Sequence, residues 1–114
     1  MRNAFHIDHI HPKSKFTQRN YDKMGLFQDQ REFYNDHVNG LANLQLLDSI
    51  PNTEKSNISF SEWLEKNYSD ELSKKVYMER HYIPDVDYEF RNFIDFYIER
   101  EKILFTKLKE ILLK

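Results

Sequence analysis

Cysteine is absent from this 114-residue chain, which removes disulfide scaffolds, thiolate zinc sites and cysteine nucleophiles together. Any metal held here sits on nitrogen and oxygen. Glycine is nearly absent too: Gly25 and Gly40 are the only two, too few for a Walker phosphate loop or a GxGxxG dinucleotide turn, which argues against nucleotide-cofactor enzymes. No apolar run approaches the roughly 18–20 residues of a membrane span. The N-terminus lacks the basic-then-apolar pattern of a signal peptide, so no membrane partner is expected and the cytoplasm is the expected location. Neither sign of charge dominates. The formal net charge of −2 argues against gripping nucleic acid by bulk charge and leaves a local basic patch as the route.

Aromatic residues, by contrast, are plentiful, with 9 Phe, 7 Tyr and 1 Trp. Together with 39% hydrophobic content they suffice for one core, while 32% charged residues and a mean hydropathy of −0.81 provide a solvated surface. The length accommodates one domain and is too short for two ordinary ones.

Patterning divides the chain into short mixed elements followed by helices. Residues 4–10 (A-F-H-I-D-H-I) alternate polar with β-branched or aromatic residues and are stopped by Pro12, the pattern of a short half-buried strand. Residues 13–40 read as an insertion carrying one short helix, which opens at Asp29 with Glu32 in capping-box position and closes near Gly40. A second strand is expected over 42–47, where A-N-L-Q-L-L alternates around Leu44 and Leu46. Pro51 suits the first turn of a following helix, with Asn52 and Lys55 on one face.

Two helices are expected between about 59 and 80, one from the capping box Ser59-Phe60-Ser61-Glu62 and one from Ser69-Asp70-Glu71. After Pro84, with Asp85 as the cap, Phe90, Tyr97, Leu104 and Ile111 recur every seven residues with Ile94 and Leu108 between them. This predicts a long amphipathic helix, read mainly as core-forming, with a dimer seam as the alternative that leaves the oligomeric state open. The expected organisation is a single domain: a head over 1–58 with the insertion 13–40, and a helical extension over 59–114 packed on it.

The densest chemistry is His6-Ile7-Asp8-His9-Ile10-His11-Pro12, which holds three of the five histidines and a carboxylate. Strand alternation puts Ile7, His9 and His11 on one side and His6, Asp8 and Ile10 on the other, so Asp8 and His9 converge only where the strand twists or ends. Surface histidines on an edge strand would account for this heptad taken alone. His6 and His11 stay ambiguous between further ligands, phosphate contacts and plain exposed histidines. His37 and His81 carry no argument.

Taken in order, D-H-I-x-P, N-L-Q-L-L and N-x-x-K-S resemble the HNH, or ββα-metal, nuclease family over residues 5–56. The run Phe60-Ser61-Glu62-Trp63-Leu64 and the C-terminal Phe93, Phe96 and Arg100 are similar to one subgroup, the nuclease domain that ends modification-dependent restriction enzymes of the GmrSD type. The implied fold class is α+β and mostly helical, with a ββα-metal core, a short two-stranded sheet and a helical C-terminal extension.

What the resemblance implies for the site is specific. Asp8 would be a carboxylate ligand of one divalent ion, His9 the general base that deprotonates water, and Asn52 the second ligand. The oxygen ligands suit magnesium or manganese, and imidazole titrates in the range a base at neutral pH needs. Asn43 would support the motif by hydrogen bonds, and Lys13 and Lys55 would contact DNA phosphates, with Lys15 and Arg19 adding basic charge between Phe16 and Tyr21.

The expected activity is metal-dependent nicking or cleavage of DNA in bacterial restriction or antiviral defence. A large N-terminal nucleotide-binding and sensing domain, outside these residues, is the expected protein partner. The alternative from another class is a catalytically silent nuclease-derived module that binds nucleic acid or protein. Trp63 and the phenylalanines at helical spacing are expected in the core rather than stacked on bases.

Overall fold

The computed structural model of the protein describes residues 6–47 and 58–113. Its architecture is α+β and mostly helical. Strand β1 (His6–His9) pairs antiparallel with β2 (Leu44–Leu47), and the intervening chain carries α1 (Gln18–Met24) and α2 (Gln28–His37). Helices α3 (Phe60–Asn67), α4 (Glu71–Arg80) and α5 (Phe93–Leu112) follow. The helix expected from Pro51, with Asn52 and Lys55, lies outside the described residues.

The segment between the strands holds two helices where the sequence reading has one. Helix α1 is short and polar, but its ends are marked: the Thr17 hydroxyl accepts the Asn20 N–H, and Gly25 takes a left-handed conformation at φ 67°. The Gly25 N–H donates to Asp22 O and the Leu26 N–H to Tyr21 O, the double bond that closes a helix in a Schellman turn. The start of α2 also differs from expectation, because Gln30 rather than Glu32 reaches back, its amide oxygen accepting the Phe27 N–H at 2.7 Å.

Helices α3 and α4 form where their caps predict. Ser59 and Glu62 exchange hydrogen bonds as a capping box, and Asp70 accepts from the Ser73 N–H at 2.9 Å. Helix α5 begins at Phe93, later than the Asp85 cap implies. Asp87 organises the preceding turn instead, its carboxylate accepting the Glu89 N–H and its carbonyl the Asn92 side chain, which holds 85–89 out of the helix.

Helix α5 is the spine between two hydrophobic clusters. Phe96 enters one with Ile10, Leu47, Trp63 and Tyr77, so the sheet and helices α3 and α4 share that core. Phe93 and Tyr97 enter the other with Tyr21, Tyr34 and Ala42, so α1 and α2 pack on its far side. The seven-residue stripe therefore works as core through Leu104 but not beyond it: Leu108 and Ile111 are exposed, as is Phe105. Trp63, Phe60, Phe93 and Phe96 are all buried.

Gly40 is required by a close approach rather than by its backbone angles, since its φ is −72°. A Cβ built there would collide with the buried Tyr97 hydroxyl and lie 2.9 Å from the adjoining ring carbon. The ring cannot swing aside without leaving its cluster. Gly40→Ala is therefore expected to lower unfolding stability by about 1–3 kcal/mol, the usual range for overpacking a core. Chemical denaturation would read this as a lower midpoint, and an unchanged midpoint would contradict the packing described.

Candidate active site

The site begins with an inverted sheet. In β1, Ile7 is 71% exposed while Asp8 is half-buried; in β2, Leu46 is 59% exposed while Gln45 is 4% exposed. Alternation around Leu44 and Leu46 thus marks the strand correctly but not its inner face. The register sets Asp8 opposite Gln45 and His9 opposite Leu44, so the polar pair, not the apolar one, faces the helices. Burying polar groups without partners is costly, and here the partners are present. Gln45 Nε2 donates to Asp8 Oδ2 at 3.1 Å, and Gln45 Oε1 accepts from the Tyr77 hydroxyl of α4.

Strand β1 ends immediately after His9, which satisfies the condition for Asp8 and His9 to leave simple alternation. Asn43 holds the chain as it departs. Its backbone carbonyl accepts the Ile10 N–H at 2.8 Å, and its side-chain Oδ1 accepts the His11 N–H at 2.9 Å. Its Nδ2 donates to His11 O at 3.1 Å and to Val38 O at 2.9 Å. This one fully buried amide joins the exit of β1 to the exit of α2.

The exit of α2 supplies a contact to His9 that the sequence reading lacks. Asn39 Oδ1 lies 2.8 Å from His9 Nε2. An amide oxygen only accepts, so it selects the tautomer protonated at Nε2 and puts the basic lone pair on Nδ1. Asn39, Gln45 and Tyr77 are site residues that the sequence does not single out. Gln45 lies inside the N-L-Q-L-L motif, but alternation around Leu44 and Leu46 does not say which side of the strand is inner.

The histidines of the heptad separate. His6 is exposed, whereas His11 is 1% exposed and enclosed by the rings of Phe60, Phe90, Phe93 and Phe96, the last with its centroid 4.8 Å away. His11 is therefore a core residue and not an exposed histidine at hand for phosphate. Lys13 is exposed on the 3-10 turn over Lys13–Lys15, two residues beyond His11. Asp8, His9 and Asn43 are brought together at the end of the sheet, while Asn52 and Lys55 lie outside the described residues.

Behind the sheet sits a buried cationic side chain, Arg100 of α5. It donates to Leu44 O at 2.8 Å, to Leu41 O at 3.4 Å, and through Nε and Nη2 to His81 O at 3.2 and 3.0 Å. Burial pushes its guanidinium down to about 10, which leaves it charged at neutral pH. Arg100 thereby fastens the strand partner of His9 to the end of α4.

Among the described residues no group of three or more His, Cys, Asp or Glu could hold a metal ion. Asp8 is half-buried, and one of its oxygens accepts from Gln45. Magnesium is held in enzymes through one or two carboxylates with substrate phosphates and water completing the shell, and a fixed, half-buried carboxylate is a donor that such an open site uses. The residues present fit the ion in that sense.

A family model described as GmrSD restriction endonucleases, C-terminal domain, matches residues 1–103. No curated protein matches the chain.

Proposed function

Because the chain belongs to the family of C-terminal domains of GmrSD restriction endonucleases, we propose that it is an HNH-type, divalent-metal-dependent DNA endonuclease domain of bacterial defence, acting in the cytoplasm. The observation that carries this reading is the adjacent Asp8 and His9, each held by its own amide, Gln45 on the carboxylate and Asn39 on the imidazole. A scaffold has no packing reason to turn Ile7 and Leu46 outward in order to keep that pair.

In the proposed reaction His9 Nδ1 takes a proton from water as the water oxygen attacks phosphorus. The P–O3′ bond breaks, and the 3′ oxygen leaves and gains a proton from solvent. A phosphodiester resists this because its charge repels nucleophiles and its alkoxide leaves poorly. A magnesium or manganese ion, when bound by Asp8 and Asn52, supplies positive charge that eases both difficulties. Asn39 holds the imidazole in the required tautomer. Asn43 and Arg100 fix the two strands on which the pair stands. Lys13 and Lys55 offer charge to flanking phosphates.

End-labelled duplex DNA tests this chemistry directly. The expected products in magnesium or manganese carry 3′-hydroxyl and 5′-phosphate ends, and chelator stops their formation. Products with 3′-phosphate ends would contradict the assigned leaving group. Binding of DNA without cleavage by the folded protein in any metal would favour the silent interaction module.

A further inference from the structure

The inner face of the sheet raises a question that packing does not answer. Two strands of four residues each bury a glutamine and half-bury an aspartate while Ile7 and Leu46 face outward. Replacing both partners of a buried hydrogen bond by apolar groups of the same shape can be nearly neutral or stabilising. Stability alone is therefore a poor reason for this one.

The hydrogen-bond donors and acceptors allow only one arrangement. A carboxylate accepts and does not donate, so Gln45 must present its NH2 to Asp8. Its carbonyl oxygen then points the other way and requires a donor. Tyr77 provides it: the side chain is 3% exposed, and its hydroxyl donates to Gln45 Oε1. Burial holds that hydroxyl well above the usual tyrosine range, so it remains an O–H donor throughout the neutral and mildly alkaline range. Were Gln45 to rotate by half a turn, two oxygens would face each other at Asp8, while the Tyr77 hydroxyl could turn to accept, so it is the carboxylate that sets the orientation of the amide. The chain Tyr77–Gln45–Asp8 thus has a fixed sense.

We propose that Gln45 and Tyr77 are positioning residues that fix the Asp8 carboxylate for divalent-cation binding, so that helix α4 of the C-terminal half sets metal affinity at a site built in the N-terminal half. This rests on the nuclease reading above, in which Asp8 is a ligand. One oxygen of Asp8 is oriented by Gln45. Hydrogen-bonded partners behind a metal ligand typically change affinity or activity by about 10–100-fold when removed.

The test measures manganese binding by the depletion of the free-ion electron paramagnetic resonance signal, on the full chain and below its melting temperature. Wild type, Asp8→Asn, Gln45→Met and Tyr77→Phe are compared, with circular dichroism as the check on folding. Tyr77→Phe keeps the ring in its cluster, so it carries the test if Gln45→Met does not fold. The expected result is loss of binding in Asp8→Asn and manganese affinity lower by about 10–100-fold in folded Tyr77→Phe and Gln45→Met. In DNA cleavage kcat should fall at fixed metal while KM for DNA is held, since neither residue is proposed to contact DNA.

A merely structural role would lower the melting temperature and leave the affinity of the folded protein unchanged. Wild-type affinity in folded Tyr77→Phe and Gln45→Met, beside an Asp8→Asn variant that has lost both binding and cleavage, overturns the relay and leaves the nuclease reading standing. Unchanged binding and cleavage in Asp8→Asn, or no binding by wild type, overturns the nuclease reading and the relay with it.

Discussion

Replacing His9 with alanine is expected to lower the rate of DNA cleavage by about 10²–10⁴-fold, the usual contribution of a positioned general base, while manganese binding and the fold are retained. The proposal separates the roles of two adjacent residues, Asp8 holding the ion and His9 facing it without coordinating it, so binding and turnover should part in this variant. The environment supports a clean substitution. His9 is half-buried at the strand end, opposite Leu44, and its Nε2 bond is to the exposed Asn39. Truncation there leaves the exposed Asn39 amide to water. Asn39→Ala should have a smaller effect in the same direction, because it releases the imidazole tautomer without removing the base. Cleavage kinetics at saturating metal, beside a manganese titration of the same protein, check both. If His9→Ala lost metal binding together with activity, the imidazole would be a ligand and the base would have to be sought elsewhere.

Arg100→Met is expected to have the largest effect on stability, about 3 kcal/mol or more. The guanidinium is 3% exposed and reaches three backbone carbonyls, those of Leu41, Leu44 and His81. A methionine fills a similar volume but donates nothing; Leu41 O keeps the Leu44 N–H, whereas the Leu44 and His81 carbonyls lose bonds to a charged donor, each worth about 1.5–3 kcal/mol. In a domain of this size that corresponds to a fall in melting temperature of roughly 10 °C. Arg100→Lys should recover only part of it, because a single ammonium cannot span carbonyls on β2 and at the end of α4 as a planar fork does. Thermal melts followed by circular dichroism read the result. A loss below about 1 kcal/mol, the size seen for an exposed ion pair, would contradict the role given to Arg100 in joining α5 to the sheet.

The elements that could be read from the sequence are those whose ends are marked by local chemistry. Ser59 with Glu62 marks the start of α3, Ser69-Asp70-Glu71 that of α4, and the alternating segments mark both strands, because caps and period-two patterns are written in neighbouring residues. Helix α1 carried its marks too, Thr17 and Gly25, but its seven residues bury only Tyr21, so no apolar period drew attention to it. The late start of α5 depends on Asp87 bonding both Glu89 and Asn92, which nothing in the apolar stripe records. His11 stays ambiguous in the sequence for a related reason. Its burial is decided by four phenylalanines from α3, α5 and the turn before α5, more than forty residues away in the chain.

In the site, sequence order brought out Asp8, His9 and Asn43, but the amides that orient the first two required the fold. Asn39 reaches His9 only because α2 ends beside the strand, and Gln45 reaches Asp8 only in the observed register, since a one-residue slip would turn it to the opposite face. The inversion of the sheet was hidden because alternation reports which residues share a side and not which side is inner. That inner side was settled by Tyr77, a residue thirty-two positions from Gln45.

The most direct measurement is conversion of supercoiled plasmid to nicked and linear forms by the folded wild-type chain in magnesium, in manganese and in chelator, with Asp8→Asn run alongside. The account predicts conversion in the two metals, none in chelator, and none by Asp8→Asn at any metal concentration that saturates wild type. Conversion that persists in chelator, or an Asp8→Asn variant as active as wild type, would contradict it.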